Sequence, residues 1–327
     1  MRFFARRLGF YLATAWLALT LNFVIPRLMP GDPVREMFAR TKQVATPGAL
    51  AAMRAAFGVD TGASLFSQYG TYMGNVLHGQ LGTSISYFPA TVSTVIGAAL
   101  PWTLFLVGTA TAISFVLGTL LGIASAWRRG SWVDQLLPIT AFLSAMPYFW
   151  LGALAISLFG NKLGWFPLSG AYNPNLSPGF SLPFALSALD YGILPVGTIV
   201  VSSIAGWLLG MRNVMILTIP EDYVLLAQAK GLSSRRVIFS YAARNAVLPT
   251  LASFALSLGF VVGGAILTEI VFSYPGVGYV LFQAVTNQDY PLMQGLFLII
   301  TMLVLLANLL ADVAYAVLDP RTRESSR

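Results

Sequence analysis

The chain has 327 residues, 57% of them hydrophobic and only 9% charged, with a mean hydropathy of +0.74. An ordinary soluble domain has about 25% charged residues, so this composition belongs to an all-α polytopic membrane protein. No cysteine and a single histidine, His78, exclude disulfides, thiol chemistry and a histidine-built metal centre.

Six apolar stretches reach the roughly 20 residues needed to cross a bilayer: 9–29, 101–127, 135–159, 191–217, 251–271 and 292–317. Arg2, Arg6 and Arg7 precede the first, which is longer than a signal-peptide core and lacks a small-residue cleavage site, so it reads as an uncleaved helix. The long segment after it is polar and marked by Gly and Pro, with an amphipathic helix expected near 65–77. A second loop, 161–190, is rich in Pro, Ser and Asn. A third, 272–291, reads FSYPGVGYVLFQAVTNQDYP; Pro275, Gly276 and Gly278 are expected to turn before a short apolar helix that dips back into the membrane. Pro138, Pro147 and Pro195 lie in or at the ends of their spans, where a proline can introduce a kink. The pairs Gly118/Gly122, Gly206/Gly210 and Gly259/Gly263 have the spacing of closely packed membrane helices.

Basic residues set the orientation. With the N-terminus inside, the cytoplasmic parts hold Arg2, Arg6, Arg7, Arg128, Arg129, Arg212, Lys230, Arg235, Arg236, Arg244, Arg321, Arg323 and Arg327. Arg27, Arg35, Arg40, Lys42, Arg54 and Lys162 fall on the other side, mostly in or beside one long loop, where the positive-inside bias is weakest. Both termini are therefore expected in the cytoplasm. The net charge of +7 then reads as a topology signal and gives no reason to invoke nucleic acid.

Between the fourth and fifth spans lies a polar island, 220–249, too polar to cross a bilayer. Pro220 sets φ for a first turn, Glu221 and Asp222 put negative charge at a helix start, and Gly231 can take the left-handed conformation that ends a helix. One short helix is expected over 221–230, and a second, capped by Ser233 or Ser234, should run through Arg235, Arg236 and Arg244 to Pro249. Ala227, Ala229 and Gly231 would leave the first helix thin on one side, open to the backbone of another protein. The same residues also fit an amphipathic helix resting on lipid headgroups.

The spans lack chemistry of their own. Glu269, Asp190 and Asp312 sit towards span ends, whereas an ion-coupled carrier needs ionisable groups at membrane depth. No phosphate-binding G-x-x-x-x-G-K-[ST] loop and no HExxH occurs, and no Ser-His-Asp or paired-carboxylate set converges. A secondary carrier and a membrane enzyme are both poor fits.

The residues Glu221, Asp222, Tyr223, Val224, Ala227, Ala229, Lys230, Gly231 and Leu232, followed by Arg244, Asn245, Ala246, Leu248 and Pro249, resemble the cytoplasmic EAA loop of permease subunits in bacterial ABC importers. Glu269, Phe272, Ser273, Pro275, Gly276, Gly278, Asp289, Tyr290 and Pro291 resemble the outer loop of the peptide, nickel and opine branch. Arg6-Arg7-Leu8 with Gly79, Leu81, Gly82, Ser84 and Pro89 is similar to its B-type subunit, so the likeness covers essentially the whole chain. Two departures stand out. The name-giving Glu-Ala-Ala is here Leu225-Leu226-Ala227, and Gln288 occupies a position where similar sequences have Arg.

This resemblance implies a type I importer permease of the MetI-like fold in the inner membrane. Its parts would be a first helix with a long periplasmic loop (1–100), a five-helix core carrying the coupling loop 220–249 (101–320), and a cytoplasmic tail (321–327). Glu221, Asp222, Tyr223, Ala227, Ala229, Lys230, Gly231 and Leu232 would dock on an ATPase, supported by Arg235, Arg236, Arg244, Asn245 and Pro249. Glu269, Phe272, Pro275, Gly276, Gly278, Asp289 and Tyr290 would face a binding protein or form a gate. The implied partners are a second permease subunit, two ABC ATPases or a fused one, an extracytoplasmic binding lipoprotein and membrane lipids. ATP and Mg would be held by the ATPases and no cofactor by this chain. The expected cargo is di- or oligopeptides, with nickel, glutathione or another small solute as the alternative.

Overall fold

The computed structural model describes residues 2–28, 34, 38, 46–56, 62–259 and 266–318. In chain order its elements are α1 (Arg2–Leu28), α2 (Pro47–Ala56), α3 (Leu65–Leu77), α4 (Val92–Trp127), α5 (Trp132–Gln135), α6 (Leu137–Ala145) and α7 (Tyr148–Ala155), which continues as a π-helix, Ile156–Lys162. Then come α8 (Leu182–Thr218), α9 (Asp222–Ala229), α10 (Ser234–Arg236), a second π-helix (Val237–Ala242), α11 (Ala243–Gly259), α12 (Ile266–Val271), α13 (Val277–Thr286) and α14 (Tyr290–Leu318). No strand occurs among the described residues; a lone bridge pairs Thr83 with Thr91.

By length and composition α1, α4, α8 and α14 are able to cross a membrane, and a fifth crossing appears if the bent pair 132–145 and 148–162 counts as one. The expected fifth span, 251–271, includes residues 260–265, which lie outside the described residues, as do Gly263 and the tail 321–327. The third stretch carries the kink that Pro147 can introduce, and its two arms meet at 96°. Pro147 is the physical cause, because its ring bars the preceding residue from helical backbone, and Met146 adopts φ −78°, ψ 138°.

Two helices overshoot their expected ends. α4 begins at Val92 and carries Pro101 inside it, and α8 begins at Leu182, so that Asp190 belongs to the helix and not to the loop before it. At about 1.5 Å per residue, each is roughly 55 Å long, well beyond a hydrocarbon core of about 30 Å. The helix expected over 65–77 is present as α3, its start capped by the Ser64 hydroxyl accepting from the Ser67 N–H at 3.3 Å.

The chain divides into two compact units, 1–103 with 275–306 and 321–327, and 104–274 with 307–320. In the first, α3 is fastened to α1 through aromatic rings. Phe23 meets Tyr69 and Tyr72 at centroid distances of 5.2 and 5.6 Å, and the Arg27 guanidinium lies 3.6 Å over Phe23. In the second, α4 and α8 touch backbone to backbone. A Cβ on Gly118 would come within 2.5 Å of the Trp207 Cβ, and one on Gly122 within 2.6 Å of the Leu208 carbonyl oxygen. Gly206 and Gly210 behave oppositely: an added Cβ meets nothing within 4 Å, and both line an open cavity of about 350 Å³ with Ser203, Trp207, Thr250 and Ser253. Equal spacing in the sequence thus marks a packed seam in one helix and an open face in another.

Candidate functional site

The polar island folds into α9, which we call the handle. Pro220 sits in the turn before it, and Glu221 is its N-cap, with extended backbone (φ −66°, ψ 142°) and no side-chain cap bond. Glu221 instead supplies its carbonyl, accepting from the N–H groups of Val224 and Leu225 at 2.9 and 3.1 Å. Asp222 places a carboxylate in the first turn, where unpaired N–H groups concentrate. At the other end Gly231 has φ +71°. Its N–H donates to the Gln228 carbonyl at 2.9 Å, and the Leu232 N–H donates to the Ala227 carbonyl at 3.4 Å. That pair of bonds is a Schellman motif, the stop expected of a glycine just past the helix end.

One face of the handle is locked to the chain itself. Val224 and Ala227, three positions apart and therefore on one face, are 0% and 2% exposed. They pack with Ile123 and Ala126 of α4, Met211 and Met215 of α8, and Val237, Ala242, Ala243 and Ala246 beyond the handle. Burying a valine fully stabilises by about 1.5–3 kcal/mol. This corrects the expectation for Ala227: its small size serves the chain's own packing and is not on show to a partner. Ala229, Lys230 and Gly231 are exposed as expected, and so are Tyr223, Leu225 and Leu226, at 37%, 47% and 56%. The two leucines that replace the first residues of Glu-Ala-Ala are thus the apolar outer face.

The segment after the handle also differs from expectation. Ser233 precedes α10 without any side-chain cap bond, and the helix does not stop at Pro249 but continues to Gly259. A proline inside a helix forfeits one hydrogen bond, and the apolar run behind it outweighs that loss. Arg235, Arg236, Arg244 and Asn245 are exposed.

The other group of singled-out residues is mostly hidden. Glu269, Phe272 and Tyr274 are 1%, 2% and 0% exposed, and Gly276 and Gly278 are buried. Burial, with the Glu269 charge adding, pushes the Tyr274 phenol up from its ordinary value. Gly278 corrects the turn reading, because it lies within α13, whose N-cap is Gly276. Asp289 is fully buried. Its carboxylate accepts from the Ser84 hydroxyl at 2.5 Å, the Ser86 N–H at 2.8 Å and, across the start of α14, the Leu292 N–H at 3.1 Å. It is a clasp that ties the 84–86 segment to the N-terminus of α14, where a negative charge is favoured. Pro275 and Tyr290 are partly exposed.

Sequence reading missed two further helix stops. Ser273, at φ 46°, follows α12, with Ser273 N–H on Ile270 (3.1 Å) and Tyr274 N–H on Glu269 (2.8 Å). Gln288, at φ 54°, follows α13, with Gln288 N–H on Val285 (3.1 Å) and Asp289 N–H on Ala284 (2.8 Å). Both repeat the bonding of Gly231 without a glycine, so the usual signal is missing.

No group of His, Cys, Asp and Glu able to hold a metal ion occurs among the described residues. Residues 118–324 match the family described as binding-protein-dependent transport system inner membrane component. The chain is 36% identical, over 99% of both proteins, to the di/tripeptide transport system permease protein DppB of Pseudomonas aeruginosa. It is 33% identical, over 92% of both, to the oligopeptide transport system permease protein AppB of Bacillus subtilis. The dipeptide transport system permease protein DppB of Alkalihalophilus pseudofirmus is 31% identical over 93% of both.

Proposed function

Because this chain belongs to the family of binding-protein-dependent transport system inner membrane components, we propose that it forms half of the path by which an ATP-driven importer admits di- or oligopeptides. It is a multi-pass protein of the plasma membrane and a permease component with no catalysis of its own. The peptide cargo rests on what the similar permeases are named for. Cargo would be delivered by an extracytoplasmic binding lipoprotein, and a second permease subunit would complete the path. Two ABC ATPases, separate or fused, would bind ATP and Mg. In this reading six spans place both termini in the cytoplasm, the sixth crossing arising from α11 and α12 taken together. Its parts are a first helix with a periplasmic loop (1–100), the core with its coupling loop (101–320) and a tail (321–327).

The observation that carries the reading is the two-sided handle. One face is welded to α4 and α8 through Val224 and Ala227, and the other presents Tyr223, Leu225 and Leu226 between membrane helices. A helix whose inner face is fixed to two long membrane helices transmits force, and one whose outer face is apolar and exposed takes a partner's groove. Glu221, Asp222, Ala229, Lys230 and Gly231 would rim that contact. Asp289 and Glu269 are each buried, so neither would touch the binding protein itself.

Leu226→Asp tests this. The side chain is exposed, so the variant should reach the membrane at wild-type level. Copurification with coexpressed ATPase subunits should fall sharply, and dipeptide uptake should be lost. Normal uptake with the ATPases bound would remove the handle from the mechanism.

A further inference from the structure

We propose that Asp134 and Arg212 are positioning residues whose ion pair makes the bent segment 132–162 follow the handle; the inference rests on the importer reading above. The pair is built from four places in the chain. Arg212 of α8 donates through Nε (3.2 Å) and Nη2 (3.0 Å) to Oδ1 of Asp134, the one acid of the four-residue helix α5. Ser125 of α4, itself fully buried, donates to the same oxygen at 2.8 Å and accepts from Arg212 Nε at 3.0 Å. The other carboxylate oxygen accepts the Gly130 N–H at 3.0 Å, which the left-handed turn at Gly130 (φ +77°) aims at it.

Its place is what gives this cluster meaning. Met211 and Met215, fully buried in the seat of the handle, flank Arg212 on α8, and Ser125 lies on the stretch of α4 that lines the same seat. The helices that grip the handle therefore also hold, through one polar joint, the start of the arms that meet at 96°. Apolar packing tolerates sliding, but a carboxylate shared by a guanidinium, a hydroxyl and a backbone N–H admits one register. Registry is the best-attested use of such a pair, since as a source of stability it gains little over an apolar replacement. The fork geometry also makes the joint specific to arginine, because a lysine offers only a point contact.

The test uses the whole complex, with both permeases, the ATPases and the binding protein, in cells and in proteoliposomes. Wild type is measured first: if it neither copurifies with ATPases nor imports a labelled dipeptide, the importer reading falls and the clamp falls with it. Given a working wild type, Arg212→Ala and Asp134→Asn should assemble normally and retain basal ATP hydrolysis. They should lose uptake by between about 5- and 150-fold, the usual span of a coupling between sites, together with stimulation of hydrolysis by loaded binding protein. Arg212→Lys should recover part of both, and the exchange Asp134→Arg with Arg212→Asp more than either reversal alone. Unchanged uptake and stimulation in Arg212→Ala would overturn the clamp alone. So would loss of assembly, uptake and hydrolysis in equal proportion without rescue by lysine or the exchange, which would make the pair ordinary fold support.

Discussion

The handle and the clasp at Asp289 both carry residues that the sequence singles out, yet one displays them and the other hides them. In α9 the marked residues Asp222, Tyr223, Ala229 and Lys230 are exposed while Val224 and Ala227 face inward. Around α12 to α14 the marked residues Glu269, Phe272, Gly276, Gly278 and Asp289 are buried, and the carboxylate of Asp289 is consumed by groups of its own chain. The difference teaches that a polar residue in a recognisable pattern is no guide to a contact surface until its hydrogen-bond donors are counted. Asp289 has three and is fully buried, whereas Glu221 is exposed and its side chain makes no capping bond.

The sharpest way to break this comparison is at the clasp. Asp289→Ala removes a charged acceptor and strands the Ser84 hydroxyl and two N–H groups, so it should destabilise the protein on the order of 3 kcal/mol. A thermal scan of the detergent-solubilised chain should show it, with Asp289→Asn falling between. Wild-type stability in Asp289→Ala would return the residue to the list of candidate contacts.

Next in size is Ala227→Trp. An indole cannot enter a seat already filled by Met211, Met215 and Val237, and overpacking should cost about 1–3 kcal/mol or more. The expected readout is reduced membrane level even when no ATPase is expressed. A variant stable alone but unable to bind ATPase would mean that Ala227 faces outward after all.

The helix stops give the smallest effects and opposite signs. Gly231→Ala forces a Cβ into left-handed backbone and should lose about 1 kcal/mol, read as a slightly lower melting temperature. Gln288→Gly relieves that same constraint and should leave stability unchanged or raise it by less than about 1 kcal/mol, given glycine's greater freedom in the unfolded chain. If both changes destabilised equally, backbone conformation would not be what distinguishes these turns.

Much of this was legible beforehand. The positions of α1, α4, α8 and α14, the helix α3 and the stop at Gly231 follow from apolar runs and from residues whose backbone preferences are strong. Burial was not legible, because it depends on which helix arrives opposite. Ala227 and Ala229 look alike in sequence, and only the arrival of α4 and α8 separates them. The stops at Ser273 and Gln288 are hidden for another reason: ordinary residues there take a conformation that the sequence signals only through glycine. Pro147 signals a kink, but its 96° angle depends on what each arm packs against.

The seam between Gly118, Gly122 and the backbone of α8 has a mechanical consequence. With no side chain between them to yield, the two helices behave near the handle as one bar. The seam lies on the handle's side of Pro195, so it stiffens that half of α8. The stiffened part of α8, from Pro195 to Thr218, is roughly 36 Å long. In the proposed importer, a small stroke at the handle would therefore be carried along that part of α8 undiminished.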